Sequence, residues 1–396
     1  MKLSQKIQRC TLSPMRKFTP YARDAEIAGK KIYKLNIGQP DIQTPPAFFE
    51  AVRGFNQEVL AYANSQGMDE LINAVRDYYR RLGTSYKKED ILITTGGSEA
   101  LQIVLTCILD PGSEVIVPEP FYSNYNTFIQ AAGGVIRPLT TRPEEDYNYA
   151  DREKLEALIN RNTRAISIIN PQNPTGNVLT EKELRLIADV AREHSLYLIC
   201  DEVYREFVYD SDNVLCAGKL RDVDENVVII DSVSKRFSAC GARIGMLISR
   251  NRELMSEALK LCQGRLCTTT LDQIGAAALY KVGPEYFAAV RDEYRRRRDL
   301  CYEKLTAIPG VVCAKPMGAF YVMAKLPIDN ADTFQEWLLT DFEDRGETVM
   351  VSPAAGFYAT PGKGINEVRI AYVLEEHDLS RALDLLAMAI ERYNQR

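Results

Sequence analysis

Ser232-Val233-Ser234-Lys235-Arg236-Phe237-Ser238-Ala239-Cys240-Gly241-Ala242-Arg243-Ile244-Gly245 forms a polar stretch between two apolar runs. Val227-Val228-Ile229-Ile230 precedes it and Met246-Leu247-Ile248 follows it. Short continuous apolar runs of this kind read as buried strands. The stretch therefore holds a lysine between two strands, with hydroxyls before it and an arginine eight residues after it. It admits two readings. One is a solvated Lys-Arg turn. In the other, cationic and apolar neighbours lower the proton affinity of Lys235, so that its amine acts as a nucleophile. Ser232, Ser234 and Arg243 would then hold a phosphate beside it. A Schiff-base lysine next to a phosphate cup is the arrangement that pyridoxal phosphate (PLP) requires.

Two further strings lie upstream. Asp201 closes the apolar run Tyr197-Leu198-Ile199-Cys200, with Tyr204 three residues on. A carboxylate at the mouth of a buried strand needs a partner or it costs free energy. A PLP ring nitrogen is one such partner, and a helix N-cap or turn is the alternative. Asn170-Pro171-Gln172-Asn173-Pro174-Thr175-Gly176 follows the run Ala165 to Ile169. Its two prolines and glycine dictate a rigid, non-helical turn, from which an asparagine amide can point into a cleft.

Outward from these strings, helical and apolar-strand patterns alternate. Residues 71–82 and 98–109 read as helices, and 91–94, 115–117, 165–169, 197–200 and 227–230 as strands. Thr180-Glu181-Lys182-Glu183 is a capping-box pattern opening a helix to about His194. Short apolar strands separated by helices imply a mostly parallel sheet covered on both faces. Sites in such sheets lie at the carboxyl ends of strands, where Asn173, Asp201 and Lys235 all fall. Beyond about residue 285 the pattern becomes α+β: a long helix over 284–308, short strands, and a terminal helix over 377–393. The basic run Tyr294-Arg295-Arg296-Arg297-Arg298 within the long helix reads as a solvated face.

In this order, the strings around Asn173, Asp201 and Lys235 resemble the class I, aspartate aminotransferase-like family of PLP enzymes. The resemblance runs from Asn36-Ile37-Gly38-Gln39-Pro40-Asp41 to Glu367-Val368-Arg369-Ile370. It implies an α/β PLP-dependent transferase fold, with a mostly parallel central sheet in a large domain and a smaller α+β domain. Residues 46–285 would form the large domain and 286–396 the small one, with the segment 1–45 packing against the latter. Lys235 would be catalytic, Asp201 would keep the ring nitrogen protonated, and Asn173 and Tyr204 would bind the ring oxygen. Gly97, Ser98 and Glu99, at the strand-to-helix junction after Thr95, would supply backbone donors to the phosphate. Ser232, Ser234 and Arg243 would complete that cup, with the Glu99 carboxylate turned away. Tyr122 would stack on the ring, Arg369 would grip the substrate α-carboxylate, and Gly38 would add a backbone N–H. Tyr122 and Asn173 would also touch substrate. Tyr62 would reach the phosphate of a neighbouring subunit, making a homodimer with shared active sites. A related bacterial subgroup often carries lysine where Ser98 stands, which leaves strict aspartate specificity open. Aspartate with 2-oxoglutarate/glutamate is the first expectation and aromatic amino acids the next. A PLP-dependent C–S β-lyase and a PLP-binding regulator are the alternatives.

Composition narrows the rest. A net charge of −5 argues against nucleic acid as a partner. Two histidines without ligand-like spacing argue against a metal site or a histidine triad. Nine scattered cysteines read as reduced thiols in the cytoplasm, and the first ten residues lack the apolar core of a signal peptide. No apolar stretch reaches the roughly 20 residues that span a bilayer.

Overall fold

The structure, a computed structural model, describes residues 1–210 and 215–396. The first strand, β1 (Lys31–Lys34), lies near the chain start. The apolar runs that follow become β2 (Ile91–Thr94), β3 (Glu114–Glu119), β4 (Val135–Thr140), β5 (Thr163–Ile169), β6 (Tyr197–Asp201), β7 (Val227–Ser232) and β8 (Gly245–Ser249). They form one seven-stranded sheet in the order β2-β8-β7-β6-β5-β3-β4. Only β8 runs against its neighbours; β7, β6, β5, β3 and β4 pair in parallel. Strand alternation sends successive side chains to opposite faces. Ile199, Val228 and Ile230 enter one core. Leu198, Cys200, Val227 and Ile229 enter the other.

Residues 135–140 give no strand signal in the sequence, because Arg137 and Pro138 break the apolar run. β4 forms there at the sheet edge, where a proline's missing N–H costs no central ladder bond. The capping box is present as expected. The Glu183 N–H donates to the Thr180 hydroxyl at 3.3 Å, and the Thr180 N–H to the Glu183 carboxylate at 2.8 Å. It opens the helix Glu181–Glu193.

The C-terminal part is built on β9 (Tyr321–Lys325), β10 (Glu347–Met350), β11 (Ser352–Pro353) and β12 (Glu367–Ala371). β12 lies between β11 and β9, antiparallel to both. β1 pairs in parallel with β10, so the chain start is hydrogen-bonded to this part of the molecule. The long helix Pro284–Thr306 overturns one expectation. Arg297 and Arg298 are buried rather than solvated. Their spacing from Tyr294 and Cys301 puts them on the inward face. Arg297 pairs with Asp41 at 2.7 Å and Arg298 with Asp210 at 2.9 Å. Both carboxylates come from segments distant in sequence.

Candidate active site

The carboxyl ends of β5, β6 and β7, adjacent in the sheet, open on one cavity of about 360 Å³. The loop after β5 brings Asn173, the last residue of β6 is Asp201, and a single helical turn after β7 carries Lys235. Ser232 caps that turn by accepting the Ser234 N–H at 3.1 Å. The Lys235 amine donates to the Gly38 carbonyl at 2.8 Å, which ties the N-terminal loop to the site. Cys240 Sγ lies 3.8 Å from the same nitrogen.

Two opposite charges stand without counter-ions in this cavity. Among the described residues Asp201 accepts only the Tyr125 hydroxyl at 3.2 Å and the Val203 N–H at 3.3 Å. No described cation pairs with it, and its open edge faces the cavity. Burial is the main cause that raises its pKa from the usual 3.8 to about 7, against the two hydrogen bonds. Arg369 is buried and forms no ion pair among the described residues. Its guanidinium donates to Asn173 Oδ1 at 3.0 Å and to the Asn36 carbonyl at 2.8 Å, and lies 4.5 Å over the Tyr321 ring. Asn173 in turn donates to the Tyr204 hydroxyl at 3.4 Å, which lies 2.9 Å from the Tyr321 hydroxyl. Burial first, then Tyr321, holds the Tyr204 phenol well above its ordinary pKa, so it remains protonated.

The third corner is shaped by glycine. Gly96 opens the helix Gly96–Ile108 at φ +74°, a conformation that other residues rarely adopt. A Cβ there would collide with the Arg243 guanidinium. A Cβ on Gly245 would collide with the Gly96 backbone, so only glycine lets β8 meet this helix start. Arg243 itself takes a left-handed backbone, φ +53°, at a cost of about 1–2 kcal/mol for a residue with a Cβ. Gly97, Ser98, Ser232, Ser234 and Arg243 line one cavity with Tyr122, Tyr204, Gly38 and Arg369. Free N–H groups at a helix start and a nearby guanidinium make an anion site.

Two expected residues stand apart. Glu99 does not line the cavity; its carboxylate accepts the Thr95 N–H at 2.5 Å and lies 3.4 Å from Arg265, turned away as anticipated. Tyr62 is 80% exposed and is not among the residues that line the cavity. The cavity also holds residues that the sequence patterns did not single out: Met15, Arg16, Thr19, Ile169, Cys240 and Tyr321. Tyr321 sits within an apolar run and reads as core. Arg16 lies in a stretch without periodicity. Nothing local marks either as a site residue.

Residues 30–386 match the family model described as aminotransferase class I and II. The chain is 32% identical to an aspartate aminotransferase of Bacillus subtilis, over 99% of this chain and 98% of that protein. It is 30% identical to an aspartate/prephenate aminotransferase of Thermus thermophilus, over 98% and 99%. Among solved structures, the Thermus thermophilus aspartate aminotransferase with maleate superposes with a TM-score of 0.89 at 30% identity, covering 98% of this chain and all of that one. An alanine aminotransferase from Pyrococcus furiosus gives 0.88 at 28%, covering 99% and 100%. The fold and these likenesses define a PLP-dependent transferase of the α/β type. The chain belongs to the class I and II aminotransferases, and its cofactor is pyridoxal 5'-phosphate.

The residues present fit that cofactor. Asp201 is a carboxylate short of a cation, which a protonated ring nitrogen would supply. The glycine-lined helix start with Arg243 is an anion cradle. Lys235 and Tyr122 line the same cavity.

Proposed function

We propose that this cavity is the active site and that it transfers an amino group between an L-amino acid and a 2-oxo acid such as 2-oxoglutarate. The carrying observation is the pair of uncompensated charges, Asp201 and Arg369, in one cavity with the Lys235 amine. When bound, PLP supplies an electron-accepting ring and a carbonyl carbon through which amino groups are exchanged. Lys235 would hold the cofactor covalently and, once freed by the incoming amine, its Nζ would accept the substrate α-proton and give it back. Asp201 keeps a proton on the ring nitrogen. Asn173 and the protonated Tyr204 hydroxyl would donate to the ring oxygen, and Tyr122 would lie against the ring. The N–H groups of Gly97, Ser98 and Glu99, with Ser232, Ser234 and Arg243, hold the phosphate. Arg369 grips the α-carboxylate, helped by Gly38 and steadied by Asn173.

Aspartate is the first choice of amino donor and aromatic amino acids the next, as the names of the two relatives suggest. We assign residues 46–285 to the cofactor-binding domain and 286–396 to the smaller one, with 1–45 joined to it. We further assign the chain to a homodimer in which Tyr62 enters the neighbouring site. The exposure of Val59, Leu60 and Tyr62 side by side supports this. All nine cysteines are free thiols, in keeping with a cytoplasmic setting.

The test begins with the colour of the purified protein. It should be yellow, and borohydride should fix the cofactor on Lys235. Lys235→Ala should lower amino transfer by about 10⁴-fold or more, because nucleophile and proton carrier are lost together. A borohydride label on another lysine would sink the assignment.

A further inference from the structure

Glu119 closes β3 with its side chain wholly buried, and among the described residues no cation pairs with it. A buried carboxylate costs free energy unless hydrogen bonds replace its water. Four do so here. Oε1 accepts the Thr140 hydroxyl at 2.7 Å and the Thr360 hydroxyl at 2.5 Å. Oε2 accepts the backbone N–H of Ala359 at 2.8 Å and that of Thr360 at 3.1 Å. Thr140 is its partner across the β3–β4 ladder. The other three donors come from one segment, 240 and 241 residues along the chain.

Both segments that Glu119 joins lead into the cavity. On one side Pro120 and Phe121 run directly to Tyr122. On the other side the Arg369 guanidinium lies 5.1 Å over the Phe357 ring. The Tyr358 hydroxyl donates at 2.7 Å to Glu367, which stands two residues before Arg369 on β12. A second bond runs beside those of Glu119: the Phe121 N–H donates to the Phe357 carbonyl at 2.8 Å. The Pro120 carbonyl accepts the Gln172 amide at 3.2 Å, next to Asn173. The groups of a binding site must be held to about 0.5 Å by the residues around them.

We propose that Glu119 is a positioning residue. It clasps residues 357–360 to the segment 119–122, and so fixes Arg369, which grips the substrate carboxylate, relative to Tyr122, which faces the cofactor. The proposal rests on the roles given to those two residues above. A glutamine can keep much of the clasp. Its oxygen can take the two N–H donors, whose direction is fixed, while its NH₂ donates to the two hydroxyls, which turn to accept. An alanine removes all four bonds.

Three measurements on the PLP-loaded enzyme test this: half-reactions with the best of aspartate, glutamate and phenylalanine, propionate binding by calorimetry, and amide hydrogen exchange. In Glu119→Ala, the amino acid needed for half-saturation and the propionate dissociation constant should both rise roughly 10- to 100-fold. The limiting rate should change by less than about 3-fold, because the α-carboxylate is gripped alike before and during reaction. Exchange at Phe121, Ala359 and Thr360 should quicken. Glu119→Gln should recover most of the loss. Thr360→Val deletes one hydroxyl donor only and should raise half-saturation by about 3- to 10-fold. In Glu119→Ala it should add nothing further, because its partner is already gone.

A merely structural role would lower the urea midpoint and leave half-saturation within about 2-fold of wild type. That result in Glu119→Ala and Thr360→Val would overturn the proposal, and so would unchanged exchange at Ala359 and Thr360 in Glu119→Ala. If Glu119→Ala yields no folded protein, Thr360→Val decides. If no amino acid discharges the wild-type cofactor, the amino-transfer reading fails instead, and propionate binding with amide exchange still judges Glu119.

Discussion

Asp201 and Asp231 lie at the carboxyl ends of neighbouring strands of the same sheet, in opposite electrostatic surroundings. β6 and β7 pair with Asp201 across from Ile230, so Asp231 lies one residue on and points to the other face. There it accepts both hydrogen bonds of Arg236 Nη2, at 2.9 and 2.8 Å, and one from Arg205 Nη2 at 3.0 Å. The Tyr79 hydroxyl and the Ser232 N–H complete the set at 2.9 and 2.8 Å. Every element is internal to the chain. Asp201 has two neutral donors and no cation. A satisfied buried charge fixes structure, whereas an unsatisfied one facing a cavity is kept for a ligand. Asp231 fixes the start of the turn that carries Lys235, and in the proposed site Asp201 is kept for the group that Lys235 would bind.

The largest effect that can break this contrast is catalytic. Asp201→Asn keeps the shape and removes the charge, so it should lower amino transfer by about 10⁴-fold, or about 5 kcal/mol of barrier. The far-ultraviolet circular dichroism of the cofactor-free protein should be unchanged. A variant whose activity stays within about tenfold of wild type would show that Asp201 is not the ring partner.

Asp231→Asn should act on the opposite quantity. It leaves Arg205 and Arg236 buried with too little negative charge, and breaking one partner of a buried pair costs about 3–5 kcal/mol. Urea unfolding should show that loss whether or not PLP is present. Arg236 lies 4.2 Å over the Tyr78 ring, which softens the loss without supplying a charge. A stability change below about 1 kcal/mol would place Asp231 among residues of no structural weight.

How much of this was legible in the sequence follows the same division. The strands were legible where apolar runs were unbroken, as in β2, β5, β6 and β7, and the edge strand β4 was hidden by Arg137 and Pro138. The cavity residues next to strand ends were legible because topology places strand ends together. Arg297 and Arg298 were misread as a solvated face because their partners, Asp41 and Asp210, are 256 and 88 residues away, a pairing that no local pattern reveals. Arg16 was passed over for the same reason: it lies in an aperiodic segment, brought to the site by the packing of Pro14, Met15 and Phe18.

The smallest effect is a pH dependence whose sign separates the two aspartates. In the cofactor-free protein the Asp201 carboxyl titrates at about 7, against 3.8 when unfolded. Between those values the folded chain keeps a proton that the unfolded chain has lost. The unfolded state then binds fewer protons, so the contribution of Asp201 to stability falls as pH rises through that window and is constant above it. That is the reverse of an aspartate held by arginines. The slope cannot exceed about 1.4 kcal/mol per pH unit. The total between about pH 4 and pH 7 should be roughly 1–3 kcal/mol. Urea midpoints of cofactor-free wild type and Asp201→Asn across that range should diverge, with the variant relatively more stable at the upper end. Loading PLP should flatten the difference in the wild type, because the ring nitrogen supplies the missing positive charge. Parallel pH profiles for the two cofactor-free proteins would mean that Asp201 already has a sufficient partner within the chain, and the contrast with Asp231 would collapse.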